Sequence, residues 1–197
     1  GTKNTALGYQ SMKNNTSGQE NTAIGNLALD ANTTGSYSIS VGGNALTSNT
    51  TGSRSVAVGQ AASENNTTGN YNTAVGKNAL NTNVGMHESV AIGAFSMENA
   101  NSSTSDEPTF NTAVGFKSLQ GSSNAANNTG TKNTSIGFQS MMDNTSGTDN
   151  TAVGYTALEN NTSGRYNTAN GSLALHNNTT GSNNTGIGSD TLKTNTT

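Results

Sequence analysis

Large aliphatic residues recur along this chain at one interval, seventeen positions, and most of what separates them is polar or glycine. The unit is plain in the stretch from Asn150 to Tyr166, N-T-A-V-G-Y-T-A-L-E-N-N-T-S-G-R-Y. It restarts at Asn4, Asn21, Ser38, Ser55, Asn72, Ser89, Asn111, Asn133, Asn150, Asn167 and Asn184. Starts lie seventeen residues apart, except after Ser89 and Asn111, where the interval is twenty-two. A fixed period this short marks a solenoid, in which each unit is one coil stacked on its neighbours.

With the first Asn or Ser of each coil as position one, position four is aliphatic in ten of eleven coils: Leu7, Ile24, Val41, Val58, Val75, Ile92, Val114, Ile136, Val153 and Ile187. These residues are expected to form the core ladder. Position nine is Leu or Met in all coils but one, where Ser63 stands, and supplies a second apolar anchor. Two short strands per coil fit this spacing, Thr-Ala-Val and then the stretch ending in Ala-Leu. Position five is Gly in every coil: Gly8, Gly25, Gly42, Gly59, Gly76, Gly93, Gly115, Gly137, Gly154, Gly171 and Gly188. These turn glycines mark a corner that needs a positive backbone angle or a close approach. N-T-T-G or N-T-S-G forms the second corner, from side chains that hydrogen-bond nearby backbone. The fold class expected is all-β, a parallel β-roll or β-solenoid of about eleven coils.

Composition changes this picture in two ways. Hydrophobic residues make up 29%, too few for an ordinary globular core. Net charge is only -3, whereas disordered chains usually carry much more, so the regular apolar spacing decides for a folded rod. Two large apolar residues per coil also make a thin core, and lateral association into a homotrimer or other parallel bundle is expected. Eight Lys and Arg give no basic patch for nucleic acid, and no apolar run is long enough for membrane insertion as a helix. Residues 1–197 read as one solenoid segment of a longer fibre, with two lengthened corner loops within 99–130.

Ser89-Val90-Ala91-Ile92-Gly93 resembles the S-V-A-I-G head repeat of trimeric autotransporter adhesins, the YadA-like head family. That resemblance implies a left-handed parallel β-roll with three chains around one axis. The N-T-A-V-G-Y-x-A-L form with N-T-T-G also looks like repeats of phage tail fibres. Two departures matter: the period here is longer than is usual in the adhesin head, and position two is mostly Thr where that family prefers Val. If position two faced inward beside position four, those hydroxyls would need partners.

Candidate chemistry is sparse. The extra residues of 99–110 and 120–130 fall at one corner of adjacent coils and should project side by side. Insertions on one face of a repeat protein are often its binding face, which makes Asp106, Glu107, Ser122 and Asn124 the candidate partner-binding residues. The residue before each coil forms a column: Glu20, Tyr37, Arg54, Tyr71, Glu88, Phe110, Lys132, Asp149 and Tyr166. There Arg54 is placed to stack between Tyr37 and Tyr71, and Lys132 to pair with Asp149. Asn170 replaces the aliphatic residue of position four and, if buried, would need partners or mark a local defect. His87 and His176 lie five coils apart, roughly 24 Å, too far to share a metal. No metal, cofactor or catalytic motif is read. Asn32, Asn49, Asn66, Asn144, Asn161, Asn178 and Asn195 lie in N-x-T/S context, as turn formers or as glycosylation acceptors.

The function expected is a non-enzymatic extracellular fibre or adhesin segment, a rigid rod for surface attachment on a cell or virion. Its expected partners are itself and a host or prey cell-surface receptor or glycan, with no cofactor. A bacteriophage tail fibre shaft, a self-assembling extracellular filament and an ice-binding solenoid are the alternatives.

Overall fold

A computed structural model, described for residues 1–100 and 107–197, shows one parallel sheet running the length of a β-solenoid. Its eleven strands are β1 (Thr5–Leu7), β2 (Thr22–Ile24), β3 (Ile39–Val41), β4 (Val56–Val58), β5 (Thr73–Val75), β6 (Val90–Ile92), β7 (Thr112–Val114), β8 (Thr134–Ile136), β9 (Thr151–Val153), β10 (Thr168–Asn170) and β11 (Thr185–Ile187). Neighbours in space are neighbours in sequence, and equivalent positions pair: Val75 with Ile92, and Ile92 with Val114. The twenty-two-residue coils keep this register, so their extra length is taken up at the corner. Eleven rungs at about 4.8 Å make a rod of roughly 50 Å.

The expected core ladder is turned inside out. Leu7, Ile24, Val41, Val58, Val75, Ile92, Val114, Ile136, Val153 and Ile187 all lie on the outer face of the sheet, partly or fully exposed. Ile24, Ile92 and Ile136 are 37%, 39% and 40% exposed, while Ala23, Ala91 and Ser135 one residue earlier are at 0%. Alternation puts positions two and four on one face and position three on the other. Inside, position three meets Leu29, Leu46, Leu80, Met97, Met141, Leu158 and Leu175 of position nine, which arrive from the opposite wall fully or almost fully buried. The interior is therefore one leucine wide. A methyl or a hydroxymethyl fits opposite that leucine, and an isoleucine does not. The position-two threonines face out with position four, so their hydroxyls face water.

The opposite wall is not a second strand, which corrects the two-strand coil. Positions seven and nine take left-handed backbone in every coil, as Leu27 and Leu29 do at φ 56°. Hydrogen bonds still run along the rod: Leu27 N–H donates to Tyr9 O at 2.9 Å, toward the preceding coil. Leu29 N–H donates to Ala45 O at 3.0 Å, toward the following one. Left-handed backbone disfavours a residue with a Cβ by roughly 1–2 kcal/mol, and these axial bonds hold it in place. The first corner is as expected, with Gly76 at φ 134° against the glycine of the next coil.

The second corner is a polar core rather than a surface turn. Asn32, at position twelve, is fully buried, and its Nδ2 donates to Asn15 Oδ1 at 2.8 Å and Gly35 O at 3.0 Å. Its Oδ1 accepts from Asn49 Nδ2 at 3.0 Å, and Asn66 and Asn83 continue the ladder. A second ladder stands beside it at position one. Asn21 Nδ2 donates to the same Gly35 O at 2.8 Å, and Asn21 Oδ1 accepts from Ser38 N–H at 2.9 Å. Thr33 Oγ1 adds a bond to Thr50 O in the next coil at 3.0 Å. Buried amides that meet every partner rigidify a core where apolar side chains are scarce. The amide nitrogens of Asn32, Asn49, Asn66, Asn144, Asn161 and Asn178 are buried and engaged, so a glycan on any of them is incompatible with the folded corner.

Candidate functional surfaces

The outward side of the sheet carries a run of exposed apolar side chains along the rod. Every large apolar side chain among the described residues that is markedly exposed belongs to position two, four, six or seventeen, apart from Leu192 in the last coil. The strand supplies the two middle columns, and positions six and seventeen flank it. At position six, Phe116, Phe138 and Tyr155 stack with ring centroids 5.4 and 5.3 Å apart, close to the coil spacing. Phe95 meets Phe116 edge-on at 5.7 Å. Lys77 and Lys117 bring their ammonium groups to 5.9 Å from Phe95 and 5.8 Å from Phe116.

At position seventeen the Arg54 guanidinium lies 5.4 Å from the ring centres of both Tyr37 and Tyr71, as the column predicts. Lys132 and Asp149 are not an ion pair among the described residues, whereas Glu20 takes Lys3 at 3.1 Å. Asn170 stands on the outer face, exposed, so it needs no buried partner and breaks nothing in the core.

The lengthened corners meet each other. Asn128, buried at the base of the second loop, accepts from Ser122 N–H at 3.0 Å and Oγ at 3.2 Å. Its Nδ2 donates to Asn99 O, at the start of the first loop. Ser122 Oγ also donates to Asn124 O at 3.2 Å, which makes Ser122 a brace of its own loop. Asn124 is exposed at the start of a 3₁₀ turn, Ala125–Asn127. Glu107 is exposed, and its carbonyl accepts from His87 N–H at 3.3 Å. Asp106 lies outside the described residues. Among the described residues, no hydrogen bond joins the Glu107 carboxylate to Ser122 or Asn124.

A partly buried titratable cluster lies away from both surfaces. His176 Nδ1 is 3.4 Å from Glu159 Oε2 and 3.3 Å from Thr156 O, so a proton on Nδ1 serves both acceptors. Burial raises the pKa of Glu159; the charge of His176 pulls it back and that of Asp143 raises it further. Burial alone raises Asp143. A carboxyl whose pKa is raised on folding contributes stability that is whole below the ordinary carboxylate range and lost as pH rises through the folded value. Urea midpoints of the native chain should therefore fall, relative to those of an Asp143→Asn, Glu159→Gln variant, as pH climbs from that range toward neutrality. Parallel pH profiles of the two proteins would contradict these shifts.

No group of three His, Cys, Asp or Glu that could hold a metal occurs among the described residues, and none of their helices is long and apolar enough to cross a membrane. No family model, curated protein or solved structure matches this chain. Sequence reasoning missed the aromatic column, although Phe116, Phe138 and Tyr155 share position six. It also missed the buried amide ladders, whose signal was an Asn kept at position twelve wherever the spacing is seventeen.

Proposed function

We propose that this chain is a non-enzymatic segment of an extracellular fibre, a rigid rod that associates with copies of itself through the outer face of its sheet. The lengthened corners at 99–110 and 120–130 are then left free to contact a cell-surface receptor or glycan. One observation carries the reading: aliphatic and aromatic side chains stand outside on coil after coil, where a rod working alone would place polar ones. From position seventeen to position six the face is about 20 Å wide, which over the rod gives on the order of 1,000 Å². Standard interfaces bury about 800 Å² on each partner, so the face is large enough to hold a homotrimer or parallel bundle. The S-V-A-I-G resemblance to adhesin heads supports the same assembly.

Light scattering at micromolar concentration should give a multiple of the 19.9 kDa chain mass, three for the trimer. Replacing Val75, Ile92 and Val114 by Lys should return the mass of one folded chain. A native chain that stays monomeric at that concentration would sink the proposal.

A further inference from the structure

The lengthened coils interrupt the position-twelve amide ladder, and the interruption leaves two loose ends. Asn15, Asn32, Asn49 and Asn66 each accept at Oδ1 from the next asparagine down the rod. Asn83 is fully buried, but the next coil places Ala100 at position twelve, and Asn83 Oδ1 takes no hydrogen bond from any described residue. At the far side the ladder resumes at Asn144. Its Nδ2 donates to Gly147 O at 3.1 Å, whereas Asn161 and Asn178 each donate both to their glycine and to the asparagine before them.

Between these ends lies a partly open cavity of about 30 Å³, lined among others by Asn83, Asn111, Asn128 and Asn144 and by the apolar Met97 and Leu119. Ordered water needs roughly 10–15 Å³ of such space and two to four polar partners. The volume suits two waters, and two coils lack the carboxamide at position twelve, where Ala100 and Ser122 stand. Wholly apolar cavities stay dry, whereas this mixed lining presents several amides to a water.

We propose that this cavity is a built water site. Two ordered waters cap the broken ends of the amide ladder, one donating to Asn83 Oδ1 and the other accepting from Asn144 Nδ2. They stand in for the side chains that the two insertions displaced.

An atomic-resolution crystal structure of the native chain tests this directly. Two solvent peaks are expected in the cavity, one within hydrogen-bond reach of Asn83 Oδ1. Ala100→Asn supplies a carboxamide in place of one water and should raise the melting temperature by about 2–4 °C. Ala100→Leu expels water without replacing its bonds and should lower the melting temperature by a similar amount. The proposal is overturned by a well-ordered lining with no solvent density, by xenon entering the cavity, or by a metal-like coordination shell at Asn83. It is equally overturned if Ala100→Leu proves more stable than Ala100→Asn. Should either variant fail to fold, the density in the native crystal decides.

Discussion

Gly76→Ala should destabilise the rod by about 3–5 kcal/mol, among the largest effects any single methyl can have here. Gly76 sits at φ 134°, a backbone angle that disfavours any residue with a Cβ. A methyl built there lies 2.6 Å from the carbonyl carbon and oxygen of Gly93 and 2.9 Å from Ala94 N. All three are backbone atoms of the next coil, so the clash cannot be relieved by turning a side chain. Relief requires the two coils to part at that corner, which strains the pairing of β5 with β6 beside it. Gly43 is the control, because a methyl there meets nothing within 4 Å. Gly43→Ala should stay within about 0.5 kcal/mol of the native chain. Urea midpoints of the two variants measure the difference, and a Gly76→Ala protein as stable as Gly43→Ala would refute the close-packed corner.

Asn49→Ala comes next, with an expected loss of about 3–4 kcal/mol. Asn49 is 1% exposed and joins three coils. Its Nδ2 donates to Asn32 Oδ1 at 3.0 Å and Gly52 O at 2.9 Å, while its Oδ1 accepts from Asn66 Nδ2 at 2.8 Å. The alanine strands two buried amides and a carbonyl, and each orphaned buried group costs about 1–3 kcal/mol. Asn49 has less support than Asn32, because position one of its own coil is Ser38 rather than an asparagine. Gly35 receives Asn21 and Asn32 together, whereas Gly52 has the amide of Asn49 alone. Asn14→Ala, on an exposed asparagine one position before the ladder, should change little. Equal effects at positions 14 and 49 would show that the ladder adds nothing beyond turn chemistry.

The period was legible at once, and with it the number of rungs and their register. Which face of the rung turns inward was not. Alternation says that Thr73 and Val75 share a side; it does not say which side. Hydrophobicity favoured Val75, but the choice rests on the gap between the two walls, which admits an alanine or a serine at position three and no side chain as large as valine. The second wall misled for a related reason. Left-handed residues at every second position give Asn78-Ala79-Leu80 the same alternation as a strand. N-T-T-G was read rightly as a corner, but turn chemistry and a buried amide ladder call for the same residue at position twelve. Only the pattern of exceptions, Ala100 and Ser122 in the two long coils, separates them. Candidate partner contacts stayed thinly marked, because exposed polar loops carry little periodic signal. Arg54 between Tyr37 and Tyr71 was readable, since a constant period turns sequence neighbours at position seventeen into contacts.

Val90 pairs with Thr112 across twenty-two residues just as Thr73 pairs with Val90 across seventeen. The corner between positions twelve and seventeen therefore acts as an open port, where chain can be added without moving the next rung. Foreign peptides grafted there would be held at fixed heights along the shaft. Separate divergence of what is displayed and what displays it follows from that geometry alone.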